Sequence, residues 1–139
     1  TLPTIAGTDL HGDPLTIGPG DPQLIVVMAH WCPHCQAEIP RIVGWINDGV
    51  LPDGVAVNGI STAVLPERGN YPPASWLEEE QWDGPVLADD ARTTAFDALG
   101  GQSFPTIIAV NAGGKVTARY EGEADQPTFV ALARSTLQR

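Results

Sequence analysis

Basic residues are scarce in this chain. Seven Lys and Arg face seventeen Asp and Glu, a net charge of -10 at pH 7, and Lys115 is the sole lysine. No basic stripe exists to neutralise phosphates, which argues against a nucleic-acid partner. An anionic membrane surface would repel such a domain. Long apolar runs are missing as well. The longest candidate, residues 24–29, is strand-sized and far short of the ~20 residues of a membrane span, so no membrane contact by this segment is expected. Repeats, low-complexity tracts and dividing linkers are also absent, so residues 1–139 are expected to form one domain. Its charge should keep it soluble and monomeric. The chain opens on Thr1 rather than methionine, from which we expect a leader or anchor ahead of it.

Cysteine is almost absent too. Cys32 and Cys35 are the only two, and a bridge across so short a loop would constrain the unfolded chain little. A pair at this spacing points to chemistry rather than to a scaffold.

What is present alternates between strand and helix patterns. Residues 9–15 read as a short hairpin turning at Gly12 and Asp13. The apolar run 24–28 suits a strand buried on both faces. A helix should start near Cys32, with Cys35, Ile39, Ile42, Val43 and Ile46 at helical spacing and a kink at Pro40. Residues 55–60 form the next strand, and 61–74 a loop-like insertion. Ser75-Trp76-Leu77-Glu78 matches a capping box, which predicts a helix over 75–82. Residues 86–88 are extended. A helix over 92–99 should stop at Gly100-Gly101. A hairpin joins 106–110 to 116–120. The last helix is expected over 127–137, with Phe129, Val130, Leu132, Ala133 and Leu137 inward. The order predicts an α/β fold, a central mixed sheet with helices on both faces and an N-terminal β-hairpin extension. Strands 24–28 and 55–60 should be parallel.

The chemistry is concentrated in His30-Trp31-Cys32-Pro33-His34-Cys35. A strand-to-helix junction puts both sulfurs on one helical face, one turn apart and close enough to bond. Cys32 falls at the helix N-terminus, where free N–H groups and the macrodipole favour thiolate, the attacking species. Pro33 fixes the turn, and protonated His34 would add positive charge beside Cys32. Together they predict a Cys32 pKa below a free thiol's roughly 8.5. A stabilised thiolate favours the reduced form and makes the disulfide a better oxidant. Cys35 should be shielded and resolve mixed disulfides. The competing reading is a metal-binding module holding copper or zinc through Cys32, Cys35 and a histidine, His30 or His11 among the candidates. It lacks the four ligands of a closed zinc site.

With these elements in place, the chain resembles the thioredoxin-like superfamily, and within it the extracytoplasmic TlpA/ResA/DsbE branch. Asp9-Leu10-His11-Gly12-Asp13-Pro14-Leu15 is similar to that branch's N-terminal hairpin. Trp31-Cys32-Pro33-His34-Cys35-Gln36-Ala37-Glu38-Ile39-Pro40 is similar to its Trp-Cys-x-x-Cys-x-x-Glu-x-Pro signature. Pro85-Val86-Leu87-Ala88-Asp89 and Phe104-Pro105-Thr106 fall where the branch has its Pro-Val-Leu-x-Asp strand and its cis-proline.

The resemblance implies a thioredoxin-like fold and thiol–disulfide exchange with protein substrates and a redox partner protein, outside the cytoplasm. Reduction of haem-attachment cysteines is one form of it. It implies no cofactor beyond the Cys32–Cys35 disulfide, a cis Pro105 beside that disulfide, and substrate backbone pairing near Phe104. Two departures stand out. Apolar Val26 occupies the place of the thioredoxin buried carboxylate, and Ser61 and Thr62 occupy that of a ResA-type glutamate, with Glu67 further along. No proton acceptor for Cys35 is therefore evident. Pro33-His34 resembles the dipeptide of DsbA, a strong oxidant. Trp31 is expected to pack beside the sulfurs, and Glu38 either to orient the site or to serve as a cap. Trp45, Trp76 and Trp82 read as packing residues, His30 as a satisfied edge histidine and His11 as a turn residue. Peroxide reduction is disfavoured, because Ala29 stands where peroxidatic relatives carry threonine.

Overall fold

The computed structural model describes all residues from Thr1 to Arg139. Its order is β1 (Ile5–Asp9), β2 (Pro14–Ile17), β3 (Gln23–Met28), α1 (Pro33–Asn47), β4 (Ala56–Ser61), α2 (Pro73–Glu79), β5 (Val86–Ala88), α3 (Thr94–Ala98), β6 (Thr106–Val110), β7 (Val116–Glu121) and α4 (Gln126–Ser135). One mixed sheet runs β2-β1-β5-β4-β3-β6-β7. The fold is thioredoxin-like, as expected. β3 is parallel to β4, which requires the crossover through α1, and antiparallel to β6.

All six residues of β3 are buried because both faces of the sheet are covered. Leu24, Val26 and Met28 face one layer, with Ile39 and Ile42 of α1, Trp76 and Leu77 of α2, and Phe129 and Leu132 of α4. Ile25 and Val27 face the other, thinner layer. There Ala95 of α3 and the adjoining Leu99 pack with Leu2 and Ile17 of the N-terminal segment. This period of two follows from strand geometry.

Several expected boundaries shift for local reasons. α2 begins at Pro73 with Pro72 as N-cap, and the Ser75 capping box does not form. Prolines at a helix start need no N–H partner and have φ preset, so Pro72-Pro73 open the helix two residues early. α2 then stops at Glu79, and Gln81 takes φ +63, so Trp82 lies outside it. α3 is shorter than 92–99 because Asp90 accepts from the Arg92 and Thr94 amides and holds that stretch as a turn. α4 ends at Ser135, which leaves Leu137 51% exposed rather than inward and buries Thr136 instead. Pro40 lies inside α1 without ending it.

The topology brings distant segments to one edge of the sheet. β3, β4 and β5 end there, antiparallel β6 begins there, and β7 returns to it, with Thr106 opposite Glu121. Cys32, Thr62, Asp89, Pro105 and Glu123 therefore converge.

Candidate active site

Cys32 is the N-cap of α1, with extended backbone (φ -78, ψ 124), and Pro33 follows at the first helical position. Cys32 is 7% exposed and Cys35, one turn on, is fully buried; both are free thiols. The Cys32 Sγ lies 3.9 Å from the Phe104 carbonyl oxygen, a weak S–H···O contact. The Phe104–Pro105 peptide is cis. The Cys35 Sγ accepts from the Ala29 amide at 3.5 Å. Burial pushes the Cys35 thiol up to about 12, with the neighbouring Cys32 and Glu38 charges adding to that rise. The sulfurs therefore differ in kind: one retains slight exposure on a helix N-terminus, the other is sealed and protonated.

Glu38, three residues beyond Cys35 on α1, is fully buried. Its Oε2 accepts from the Ala124 amide at 2.5 Å, while Oε1 is buried without a hydrogen-bond partner. Burial raises its carboxyl above the ordinary value of 4.5, against the lowering pull of the Ala124 amide and Arg41. Glu38 thereby ties α1 to the loop ahead of α4, whose N-cap is Asp125 rather than Glu38.

The sign of its pH effect follows from that raised value. In the unfolded chain Glu38 ionises near 4.5, whereas in the fold it holds its proton to higher pH. Glu38 therefore contributes stability that is present below about 4.5 and lost as pH rises through its folded value. Glu38→Gln is expected to remove this loss. Denaturant midpoints of both proteins across pH 4 to 8 should diverge upward in favour of the variant, and a constant difference would contradict the assignment.

His34 is 68% exposed on its side chain, and its ring is paired with a carboxylate. Nδ1 lies 2.7 Å from Glu123 Oε2, while Arg41 holds Glu123 Oε1 at 2.7 Å. These two partners keep the Glu123 carboxyl below its ordinary value, the His34 hydrogen bond first. His34 was expected to add positive charge beside Cys32; in the structure the Glu123 carboxylate shares that charge. Glu123 was not singled out in the sequence. It lies 89 residues from His34, and no local pattern marks it.

On the other side, Trp31 donates from Nε1 to the Ala63 carbonyl at 2.8 Å and meets Phe104 edge-on at 5.9 Å. Phe104 in turn lies 4.9 Å from Phe96. Phe96 is set in place by Asp89, whose carboxylate accepts from Thr62 Oγ1, the Asp90 amide and the Ala95 and Phe96 amides at 2.7 to 3.0 Å. Asp89 was legible only as the last residue of the Pro-Val-Leu-x-Asp resemblance. His30 is not an edge residue: it is fully buried, with both ring nitrogens engaged by the loop after β4. Val26 is buried core, and Glu67 is exposed in that loop. No group of three His, Cys, Asp or Glu side chains is placed to hold a metal ion.

The Redoxin family model matches residues 2–135. None of the curated proteins matches the chain. Among solved structures, a thiol:disulfide interchange protein of the thioredoxin family from Chlorobium tepidum TLS superposes with a TM-score of 0.76. It shares 22% identity, covering 98% of this chain and 94% of its own. A secreted Mycobacterium tuberculosis disulfide oxidoreductase homologous to E. coli DsbE gives 0.76 at 19% identity, covering 94% and 95%. StoA from Bacillus subtilis gives 0.74 at 14% identity, covering 95% and 97%. At these identities the structural likeness speaks for the fold, while the family match spans nearly the whole sequence. The chain belongs to the Redoxin family, as a thiol–disulfide oxidoreductase of thioredoxin-like fold.

Proposed function

We propose that this protein exchanges disulfides with exported protein substrates outside the cytoplasm, on the oxidising side, through the Cys32–Cys35 pair and without another cofactor. The asymmetry of the two sulfurs carries the reading. Cys32 sits at a helix N-terminus beside the surface, and Cys35 is sealed with its thiol pushed up to about 12. The extracytoplasmic setting is supported by relatives of similar fold that include a secreted oxidoreductase and a pneumococcal exposed lipoprotein.

In the oxidising direction a substrate thiolate attacks Cys32 Sγ. The Cys32–Cys35 bond breaks, and its electron pair leaves on Cys35, which takes a proton. A second substrate thiolate then attacks the substrate sulfur of the mixed disulfide. The substrate leaves with a disulfide, and its two electrons remain on the protein as a Cys32 thiolate and a Cys35 thiol. Glu38 fits as the group that gives Cys35 its proton. It is buried on α1 three residues beyond Cys35, its carboxyl is raised, and its Oε1 has no hydrogen-bond partner, only the Arg41 guanidinium 3.9 Å away. It fills the role that neither Val26 nor Ser61 and Thr62 can. In this reading the extended substrate segment pairs with the backbone at Phe104–Pro105, supported by the 3.9 Å contact of Cys32 Sγ with the Phe104 carbonyl.

Equilibration of the pair against glutathione tests the direction. A potential closer to about -120 mV, that of a strong oxidant, than to about -270 mV, that of thioredoxin, supports the reading; the reverse overturns it. Glu123 should restrain this oxidising power by competing with the thiolate for the His34 charge. Glu123→Gln is expected to shift the glutathione equilibrium about twofold to fivefold toward the reduced protein. In a His34→Ala background the same substitution should have a clearly smaller effect, limited to the loss of the Glu123 charge and the release of Arg41. An equal shift in both backgrounds would show that Glu123 does not act through His34.

A further inference from the structure

The two residues ahead of Cys32 hold a loop in place, and that loop carries a cation to the active site. Residues 62–72 join β4 to α2. Buried His30 lies 2.8 Å from the Gly69 carbonyl through Nδ1 and accepts from the Leu65 amide at Nε2, 3.1 Å away. This pairing assigns the proton to Nδ1. The His30 carbonyl accepts from Asn70 Nδ2, and Trp31 Nε1 donates to Ala63. The Arg68 amide closes a turn on the Leu65 carbonyl at 3.0 Å. Residues 63–70 are thus tied at four points to His30 and Trp31. The outcome is that the Arg68 guanidinium stands 5.1 Å over the Trp31 ring.

Arg68 is exposed and makes no ion pair or side-chain hydrogen bond, in a chain of net charge -10. Arg41, on the other side of Cys32, is occupied by Glu123. Arg68, Trp31, Phe104 and Phe96 form a continuous row of at least partly exposed groups, and the Phe104 carbonyl lies 3.9 Å from the Cys32 sulfur. A thiol–disulfide substrate must lie against this row for its own cysteine to reach Cys32.

We infer that the row sets substrate preference: Arg68 receives the carboxylate of an Asp or Glu next to the substrate's reacting cysteine, and the aromatic rings receive an apolar neighbour in the same extended segment. The inference rests on the thiol–disulfide reading above. The negative charge of the rest of the chain opposes acidic substrates only at long range, where salt screens it beyond about 8 Å, whereas the Arg68 contact is made at short range.

The test uses oxidised full-length protein and two cysteine peptides of identical composition, one with glutamate adjacent to the cysteine and one with that glutamate at the far end. Exchange rates are measured for the parent, Arg68→Gln and Arg68→Glu, with dithiothreitol as a small-thiol reference. Normalising to Arg68→Gln cancels the peptide's own thiol chemistry. The parent should then prefer the adjacent-glutamate peptide about twofold to fivefold, and Arg68→Glu should reverse the preference. A ratio identical in all three proteins overturns the inference. Failure of dithiothreitol itself to reduce the Cys32–Cys35 pair would instead overturn the thiol–disulfide reading, so the two failures are distinguishable.

Discussion

Replacing Cys35 with serine is expected to leave the protein covalently joined to its substrates through Cys32, while replacing Cys32 with serine should leave it inert. Both follow from the difference between the sulfurs. With its thiol pushed up to about 12, five decades above pH 7, only about one Cys35 in 10⁵ is thiolate at neutrality. Cys35 is also wholly buried. It can attack only a sulfur already delivered to its own position on α1, which is the Cys32 sulfur of a mixed disulfide. Remove Cys35 and the protein itself can no longer resolve that species, which leaves only attack by a substrate thiol. Non-reducing gels of Cys35→Ser after incubation with a protein disulfide should show adducts that dithiothreitol dissolves, and turnover should fall to the uncatalysed background. Adducts on Cys32→Ser through Cys35 would contradict the assignment of roles.

The largest expected loss of stability away from the sulfurs comes from Asp89→Ala. Its carboxylate gathers four donors, Thr62 Oγ1 and the amides of Asp90, Ala95 and Phe96, at the end of β5. Hydrogen bonds to a charged group are worth about 1.5–3 kcal/mol each, and capping alone about 0.5–2 kcal/mol, though such terms do not add. A combined loss of about 3 kcal/mol is expected, or roughly 10 °C in Tm for a chain of this size. Asp89→Asn retains one acceptor oxygen and should lose less. Because Phe96 rests on that anchor and touches Phe104, exchange with protein substrates should also slow in folded Asp89→Ala, with the dithiothreitol reaction less affected. Denaturant titration and the two rates separate these effects; an unchanged midpoint would show that the cluster is idle.

How much could be read ahead of the structure depended on whether the cause was local. The buried run 24–28, the Gly100 stop and the hairpin around Asn111-Ala112-Gly113-Gly114 each depend on neighbours in sequence, and each element is present. Cys32 and Cys35 were legible because their spacing is itself the chemistry. The capping box at Ser75 misled because a second local signal, Pro72-Pro73, competed with it and won. Leu137 misled because its helical spacing continued past the helix end. Non-local pairings left no trace. Glu123 meets His34 only because β7 returns to the edge where α1 begins, and Glu38 finds the Ala124 amide for the same reason. The proton acceptor was sought on the strands, whereas the group proposed for that role, Glu38, stands on the helix three residues beyond Cys35. His30 looked peripheral because the loop that buries it lies 35 to 39 residues downstream.

Alkylation of the fully reduced protein tests the division of labour most directly. A substoichiometric pulse of iodoacetamide at pH 7, followed by denaturation, a second isotopic label and peptide mapping, reads which sulfur reacts first. The structure predicts the first label on Cys32 alone, with Cys35 taking only the second. Comparable first labelling of both cysteines, or Cys35 ahead of Cys32, would contradict it.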